Sequence, residues 1–391
     1  MSAIAAAPDP LFLAAAVGST LVLFELAAGR AALLPRGGIT LPAAVQYAWQ
    51  HPHQPILYVA SSDRSGEAQG ERHALTALRF DAAAGTLSPH GPPAPLPTRP
   101  IHLTVDASGR YLLTACNDPS LLLVHRLEKD GTIGAAVPQP AGLQFGHYAH
   151  QVRVLPGGRQ VVLVCRGNDA TAGRPEDPGA LLVFEWEDGR LAPSQSVAPD
   201  GGYGFGPRHL DVHPGHSRLF VSVERQNLVQ GFALAEGRLS ERPLCSAGTL
   251  AGAVMPRQAA GAIRCGADGR FLYVANRSDW ILDEDGGQRQ LGGENNIVVF
   301  RINPASGALE AVQRVDPRGA HVRSFALDRR GQLLVAASSR PRLLHAGSAA
   351  QEVSAGLALF SVLPDGRLEF LFKHDLDVGR AALFWVGLLQ A

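Results

Sequence analysis

The amino-acid sequence predicts an all-β fold, a seven-bladed β-propeller whose ring is closed by pairing N-terminal with C-terminal strands. Three observations carry this expectation. A two-strand phrase recurs along the chain, each copy leads into a third strand and a polar edge strand, and the chain ends on a strand without a hairpin of its own. The recurring phrase is a short β-rich run, a turn of Pro, Gly, Asp or Ser, and a second β-rich run. Its copies are VQYAWQHPHQPILYVAS (45–61), IHLTVDASGRYLLTACN (101–117), HQVRVLPGGRQVVLVCR (150–166), RHLDVHPGHSRLFVSVE (208–224), GAIRCGADGRFLYVANR (261–277) and RSFALDRRGQLLVAASS (323–339). Anchored on the last turn residue, at Pro55, Arg110, Arg159, Ser217, Arg270 and Gln332, the copies stand 49 to 62 residues apart. A partial copy over about 10–25 makes the seventh. Units of roughly 40 to 60 residues with about four strands are propeller blades.

The remaining elements follow in order within each unit. Third strands such as LLLVHRL, LLVFEW, VQGFAL, IVVFRI and LALFSV show the period-2 alternation of half-buried antiparallel strands. Gly-rich turns and polar edge strands follow, as in EKDGTIG, EDGRLA and PDGRLE. The first unit lacks an innermost strand, and RAALFWVGL (380–388) supplies one. Closing the ring this way also hides sheet edges that would otherwise invite pairing with other chains. The expected organisation is one propeller domain over 1–391, with hairpins near 10–25, 45–61, 101–117, 150–166, 208–224, 261–277 and 323–339.

Composition narrows the function. Lys plus Arg equals Asp plus Glu at 35 each over 391 residues, and no basic run or stripe appears, so a nucleic-acid partner is not expected. Ample apolar content and modest charge exclude a disordered chain. Cys116, Cys165, Cys245 and Cys265 form no CxxC pair and no zinc spacing, which reads as free thiols in a reducing compartment. The apolar stretch Leu11–Leu26 has no positive flank and is split by Gly18-Ser19-Thr20 and Glu25, so neither a secretory signal nor a membrane span is expected. A cytoplasmic protein without membrane attachment is the expectation; the oligomeric state stays open. No GxSxG elbow, Walker A motif or dinucleotide fingerprint is present in a fitting context. The acidic DEDGG (283–287) lacks the full ligand pattern of a calcium loop and reads as a solvated loop. No cofactor and no metal are expected.

The repeat also sorts the polar residues. Positions nine before and seven after each anchor share one propeller face. The first set is Gln46, Ile101, His150, Arg208, Gly261 and Arg323, with His102 and His209 one place later. The second is Ser62, Asn117, Arg166, Glu224, Arg277 and Ser339. Between them the strands are mostly Val, Leu, Ala, Tyr and Phe. Ionisable groups thus gather around one mouth of the central channel. Buried charges cost several kcal/mol unless paired, so a ring of Arg, His and Glu is either a set of inter-blade bridges or a pocket for an anionic, oxygen-rich small molecule. The pocket explains the whole set better. His147, His213 and His216 fall in turns or loops and are expected to face solvent.

At these residues the chain resembles a known family. GPRHLDVHPGHSRLFVSVERQN (206–227) is similar to the hallmark segment of the seven-bladed propeller lactonases, which include propeller-type 6-phosphogluconolactonase and carboxy-muconate lactonizing enzyme. DGRFLYVANR (268–277), AHQVRVLPGGR (149–159), PIHLTVDASGRYLL (100–113) and VRSFALDRRGQLL (322–334) resemble the neighbouring blades. The resemblance spans about residues 10 to 390. It implies a site of His150, Arg208, Glu224 and Arg277, with His102, His209, Asn227 and Arg323 lining the same cleft for substrate. Ala262 and Arg264 stand where the family often has an acidic or His side chain, and the AASSRPR phrase after Leu333 also departs from its pattern. Segments 167–180 and 278–294 look like long Gly- and acid-rich loops.

The implied activity is hydrolysis of a sugar-derived or acidic lactone. Such a reaction needs an activated water, a stabilised oxyanion and a proton for the leaving alkoxide. His150 suits the proton work, because the imidazole titrates near neutral pH. Arg208 and Arg277 suit a carboxylate, a phosphate or the developing oxyanion. Glu224 reads equally as base or as the group that holds an arginine. His102 and His209 read equally as hydrogen-bond donors to substrate or as structural histidines. A muconate-type cycloisomerase and a non-catalytic propeller scaffold are the alternatives.

Overall fold

The computed structural model describes residues 11–27, 32–64, 69–284, 287–346 and 349–390. Seven antiparallel blades surround a central channel, and no α-helix occurs among the described residues. The innermost strands are Ala44–Gln50, Pro100–Val105, Ala149–Val154, Pro207–Val212, Gln258–Cys265, Val322–Leu327 and Leu383–Leu389. The last of these pairs with Phe12–Val17, which pairs with Thr20–Leu26 and then Leu33–Thr40. C-terminal and N-terminal strands therefore build the closing blade together, as the orphan strand requires.

Seven apolar clusters hold the ring, one between each pair of neighbouring blades. Alternation explains this arrangement. Successive side chains of a strand point to opposite faces, so each blade offers one apolar face to the blade before it and one to the blade after. The cluster of Leu13, Ala15, Val335, Leu357 and Val386 joins the last blade to the closing one.

Four hairpins at the face away from the channel mouth share one turn chemistry. Asp106 Oδ1 accepts from the amides of Arg110 at 2.9 Å and Tyr111 at 2.8 Å. Asp328 Oδ1 does the same for Gln332 at 2.6 Å and Leu333 at 2.7 Å. In two blades a histidine takes that place. His213 Nδ1 accepts from the Gly215 amide at 2.9 Å, which leaves Nε2–H to donate to the Gly269 carbonyl of the next blade at 2.9 Å. His213 is thus a half-buried inter-blade clip rather than a solvent-facing residue, whereas His147 and His216 are exposed.

The structure changes the reading of the two long segments. Ile281–Glu284 pairs with Gly287–Gln290 as the two strands of a β-hairpin, and not as an irregular loop. It joins a second hairpin, Arg342–Ala346 with Ala349–Val353, through a parallel contact of Arg289 with Leu343. This accessory sheet is built from the connections that leave the second strands of two adjacent blades, so it stands on the face of the channel mouth. Its strands are short and joined across two distant segments, which no local periodicity reveals. Segment 167–180 is also ordered, by backbone bridges of Asn168 with Asp177 and Thr171 with Arg174. Arg225 ties it down through Asp169 at 2.9 Å and Glu176 at 2.5 Å.

Candidate active site

A single irregularity repeats in all seven blades and makes the site. Near its start each innermost strand carries a β-bulge, where pairing skips a position or two: Gln46, Ile101, His150, Arg208, the Gly261-Ala262 pair, Arg323 and Phe384. A bulge re-aims a side chain out of the ladder. All seven blades contribute a residue from these positions to one small cavity at the channel mouth, with Tyr47, His209, Arg264, Ser324, Phe325 and Trp385 completing its wall. The cavity measures about 20 Å³, room for roughly one water.

Ala262 rather than Gly261 lines the cavity in its blade. A Cβ at Gly261 would stand 2.7 Å from Arg277 Nη1. The bare backbone there makes room for the arginine that arrives from the paired strand.

Behind the bulged ring lies a charge cluster centred on Glu224. Arg166 Nη1 donates to Glu224 Oε2 at 3.3 Å, and Arg277 Nη2 donates to Oε1. Arg208 Nε lies 3.1 Å from Oε1 in an ion pair whose angle is too poor for a hydrogen bond. Arg208, Arg277 and Glu224 are all buried, at 2%, 6% and 8% exposure. Three guanidinium groups thus share one carboxylate. Burial pushes the Glu224 carboxyl up, but Arg277, Arg208 and Arg166 together outweigh it and hold the pKa at about 2. Arg323, the fourth arginine, is stacked over the Phe384 ring at 4.1 Å. Burial, and then the charge of Arg277, lower its pKa to about 10.

Below the mouth the imidazoles form a column. His150 and His209 meet edge to face with centroids 5.0 Å apart, and His209 and His102 at 6.0 Å. Tyr47 lies 4.0 Å from the His102 ring. Burial, reinforced by surrounding arginines, lowers the pKa of all three well below the usual imidazole value. They are neutral at pH 7. Arg208 Nη1 lies 3.3 Å from His209 Nδ1; the guanidinium can only donate, so His209 carries its proton on Nε2. On the cavity wall itself Arg264 reaches the Tyr47 hydroxyl at 3.3 Å, and Arg153 pairs with Asp211 at 3.1 Å.

The structure brings His150, Arg208, His209 and Arg323 to the cavity wall, with Glu224 and Arg277 directly behind Arg208. His102 sits lower in the channel, fully buried, with neither ring nitrogen bonded. Asn227 does not line the cavity. It occupies the turn after Glu224 with φ 54°, a left-handed conformation that Asn tolerates, and its amide faces the Gln258 carbonyl at 3.5 Å. Sequence reasoning placed Arg166 in the ring but not in the site, and it missed Arg99, Tyr148 and Phe384. Arg99 donates twice to Gln46 Oε1, at 3.1 and 2.8 Å. Arg166 is stacked over the Tyr148 ring at 4.1 Å. Phe384 was findable, since it occupies in the terminal strand the place that His150 and Arg208 hold in theirs. Among the described residues no group of three or more His, Cys, Asp or Glu side chains is placed to hold a metal ion.

The fold and site together define a seven-bladed propeller with neutral imidazoles beside an excess of guanidinium groups at its channel mouth. The particular family is shown by comparison: residues 14–346 match the lactonase, seven-bladed β-propeller family, and the chain belongs to it. It is 27% identical over 310 residues to the 6-phosphogluconolactonase of Cronobacter sakazakii, an alignment covering 79% of this chain and 83% of that one. The match to the 6-phosphogluconolactonase of Bacillus subtilis is 29% identical over 250 residues, covering 61% of this chain and 63%, under two thirds, of the relative. The fold superposes on the periplasmic gluconolactonase of Pseudomonas aeruginosa with a TM-score of 0.72 at 21% identity, covering 97% of this chain and 99% of that one.

Proposed function

We propose that this protein is a hydrolase that opens a sugar-derived or acidic lactone at the channel mouth, with His150 as general base and then general acid. The observation that supports this most is the bulged ring itself, which sets a neutral His150 beside Arg208 and Arg323 on one cavity wall. A neutral imidazole can take a proton from water. The water oxygen bonds to the lactone carbonyl carbon, and the carbonyl becomes an oxyanion that Arg208 and Arg323 on the cavity wall stabilise, with Arg277 behind Arg208 adding its charge. Collapse of this intermediate breaks the ring C–O bond, and the imidazolium returns its proton to the leaving alkoxide. The sum is lactone plus water giving a hydroxy acid, which ionises to the carboxylate.

Of the two roles open to Glu224, positioning fits better than proton transfer. A carboxyl held at about 2 is a poor base near neutral pH, and both its oxygens are engaged by arginines. His209 orients Arg208 and faces His150. The relatives' names make a 6-phosphogluconolactone-like substrate the first to test. The reaction drawn needs no metal or cofactor, and four cysteines without disulfides support a cytoplasmic setting.

The test is turnover of a lactone panel, with 6-phosphogluconolactone, gluconolactone and muconolactones, in the presence of EDTA and after subtraction of spontaneous hydrolysis. Activity that resists EDTA and falls about 10²–10⁴-fold in His150→Ala supports the assignment. Full activity in that variant removes His150 from the reaction. A folded protein that turns over none of the panel sinks the hydrolase.

A further inference from the structure

We propose that a second cavity, walled by Arg340, Arg342 and Arg380, is an anion subsite that receives a phosphate or carboxylate group borne by the substrate away from its lactone ring. This rests on the hydrolase reading above. The cavity measures about 290 Å³ and lies where the accessory sheet meets the turn that leads into the terminal strand, with Gln288 and Glu352 also on its wall. That is roughly ten times the ~30 Å³ that one water occupies in the liquid, enough for a phosphate with part of a sugar chain.

The charges on its wall are unevenly matched. Arg342 is buried and fixed, donating to Gln288 Oε1 and lying 3.4 Å from Asp279 Oδ1, while its Nε has no hydrogen-bond partner. Arg340 and Arg380 are exposed and form no ion pair or side-chain hydrogen bond with any described residue. Glu352 lines the cavity, Asp279 and Asp283 act on Arg342 from beside it, and none of the three bonds to Arg340 or Arg380 among the described residues. Two unpaired guanidinium groups on the wall of a cavity, beside a third locked in place, match the planar, multidentate recognition of phosphate and carboxylate.

The cavity also adjoins the channel mouth. Arg340 follows Ser339, whose carbonyl accepts from the Leu383 amide at 2.9 Å. Leu383 precedes the bulged Phe384 that carries Arg323. Ser339 Oγ lies 2.9 Å from His321 Nδ1, and His321 feels the charges of Arg277 and Arg323 on the mouth side and Arg342 on the cavity side. The mouth cavity holds only about one water, so the body of an acidic lactone lies outside the bulged ring, over the face on which the arginine cavity opens.

The test is calorimetric binding of 6-phosphogluconate, glucarate and gluconate to the full-length protein and to the Arg340→Gln, Arg380→Gln double variant. These acids need no turnover to bind. The double variant is expected to lose about tenfold or more in affinity for the acid bearing a second anionic group, and little for gluconate. Whichever of 6-phosphogluconate and glucarate loses more names the group. An Arg329→Gln, Arg330→Gln pair removes the same charge from a hairpin turn at the opposite face. Equal weakening by that pair, or unchanged affinity in the first, overturns the subsite. Lactone turnover with no loss of affinity sinks the subsite alone; lost affinity in a protein that opens no lactone sinks the hydrolase and leaves the subsite.

Discussion

The two faces of the ring are built from the same strands and behave differently. At the hairpin face, Asp106, Asp328 and His213 solve one problem, how to satisfy the amides of a tight turn, with local hydrogen bonds. At the mouth, the same strands each carry a bulge, and the bulged residues differ from blade to blade: Gln46, Ile101, His150, Arg208, Ala262, Arg323 and Phe384. Repetition at one face buys the freedom to diversify at the other. Where a side chain's partner is its own turn, the repeat fixes it. Where its partners are six other blades, the repeat fixes only its position.

The sharpest way to break that contrast is at Glu224. Glu224→Gln leaves two buried guanidinium groups, Arg208 and Arg277, and the half-buried Arg166 without their shared carboxylate, and the expected cost is about 3–5 kcal/mol of stability together with loss of turnover. Urea denaturation beside a lactone assay measures both; intact stability with lost activity would make Glu224 a reacting group and not the clamp. Arg208→Lys comes next. It keeps the charge but loses the planar fork, and a fall of roughly 10²–10³ in kcat with a small change in melting temperature is expected if Arg208 contacts the oxyanion.

The imidazole column predicts a pH effect of smaller size. His102, His150 and His209 have folded-state pKa values below that of the unfolded chain, where the imidazole titrates near 6.5. Below that pH the unfolded chain binds protons that the fold refuses, so stability falls as the solution is acidified. Glu224, depressed from 4.5 to about 2, adds a further loss once the pH drops through that window. Melting temperature should decline from pH 7 to 5, and less steeply in His102→Gln; parallel slopes would mean His102 is not part of that response. The hairpin face gives the smallest effect. Asp328→Ala removes two turn hydrogen bonds, costs about 1 kcal/mol and leaves kcat unchanged; a loss of activity there would erase the division between the faces.

Most of the fold was legible because propeller physics is local. Alternation within each strand, a turn signal at each hairpin and a constant spacing are all readable along the chain, and so is the unpaired terminal strand. The register even carried Arg208, Glu224 and Arg277 to one face. What periodicity could not carry was orientation. Asn227 stands three residues beyond Glu224, yet a left-handed turn directs its amide away from the cavity. Arg166 occupies the same repeat position as Glu224, but its role depends on a carboxylate 58 positions away.

The sequence by itself therefore determined the number of blades and the face at which charge accumulates, since each depends on residues close together in the chain. It also determined the closing of the ring, since a first unit without an innermost strand and a last strand without a hairpin are each visible locally. Only the tertiary structure decided which side chains meet. The bulges, the arginine that fills the space left bare at Gly261, the accessory sheet joining Gly287–Gln290 to Arg342–Ala346 and the arginine cavity beside it all arise from packing between blades. Contacts of that kind are set by geometry across the ring, and a one-dimensional pattern contains no term for it.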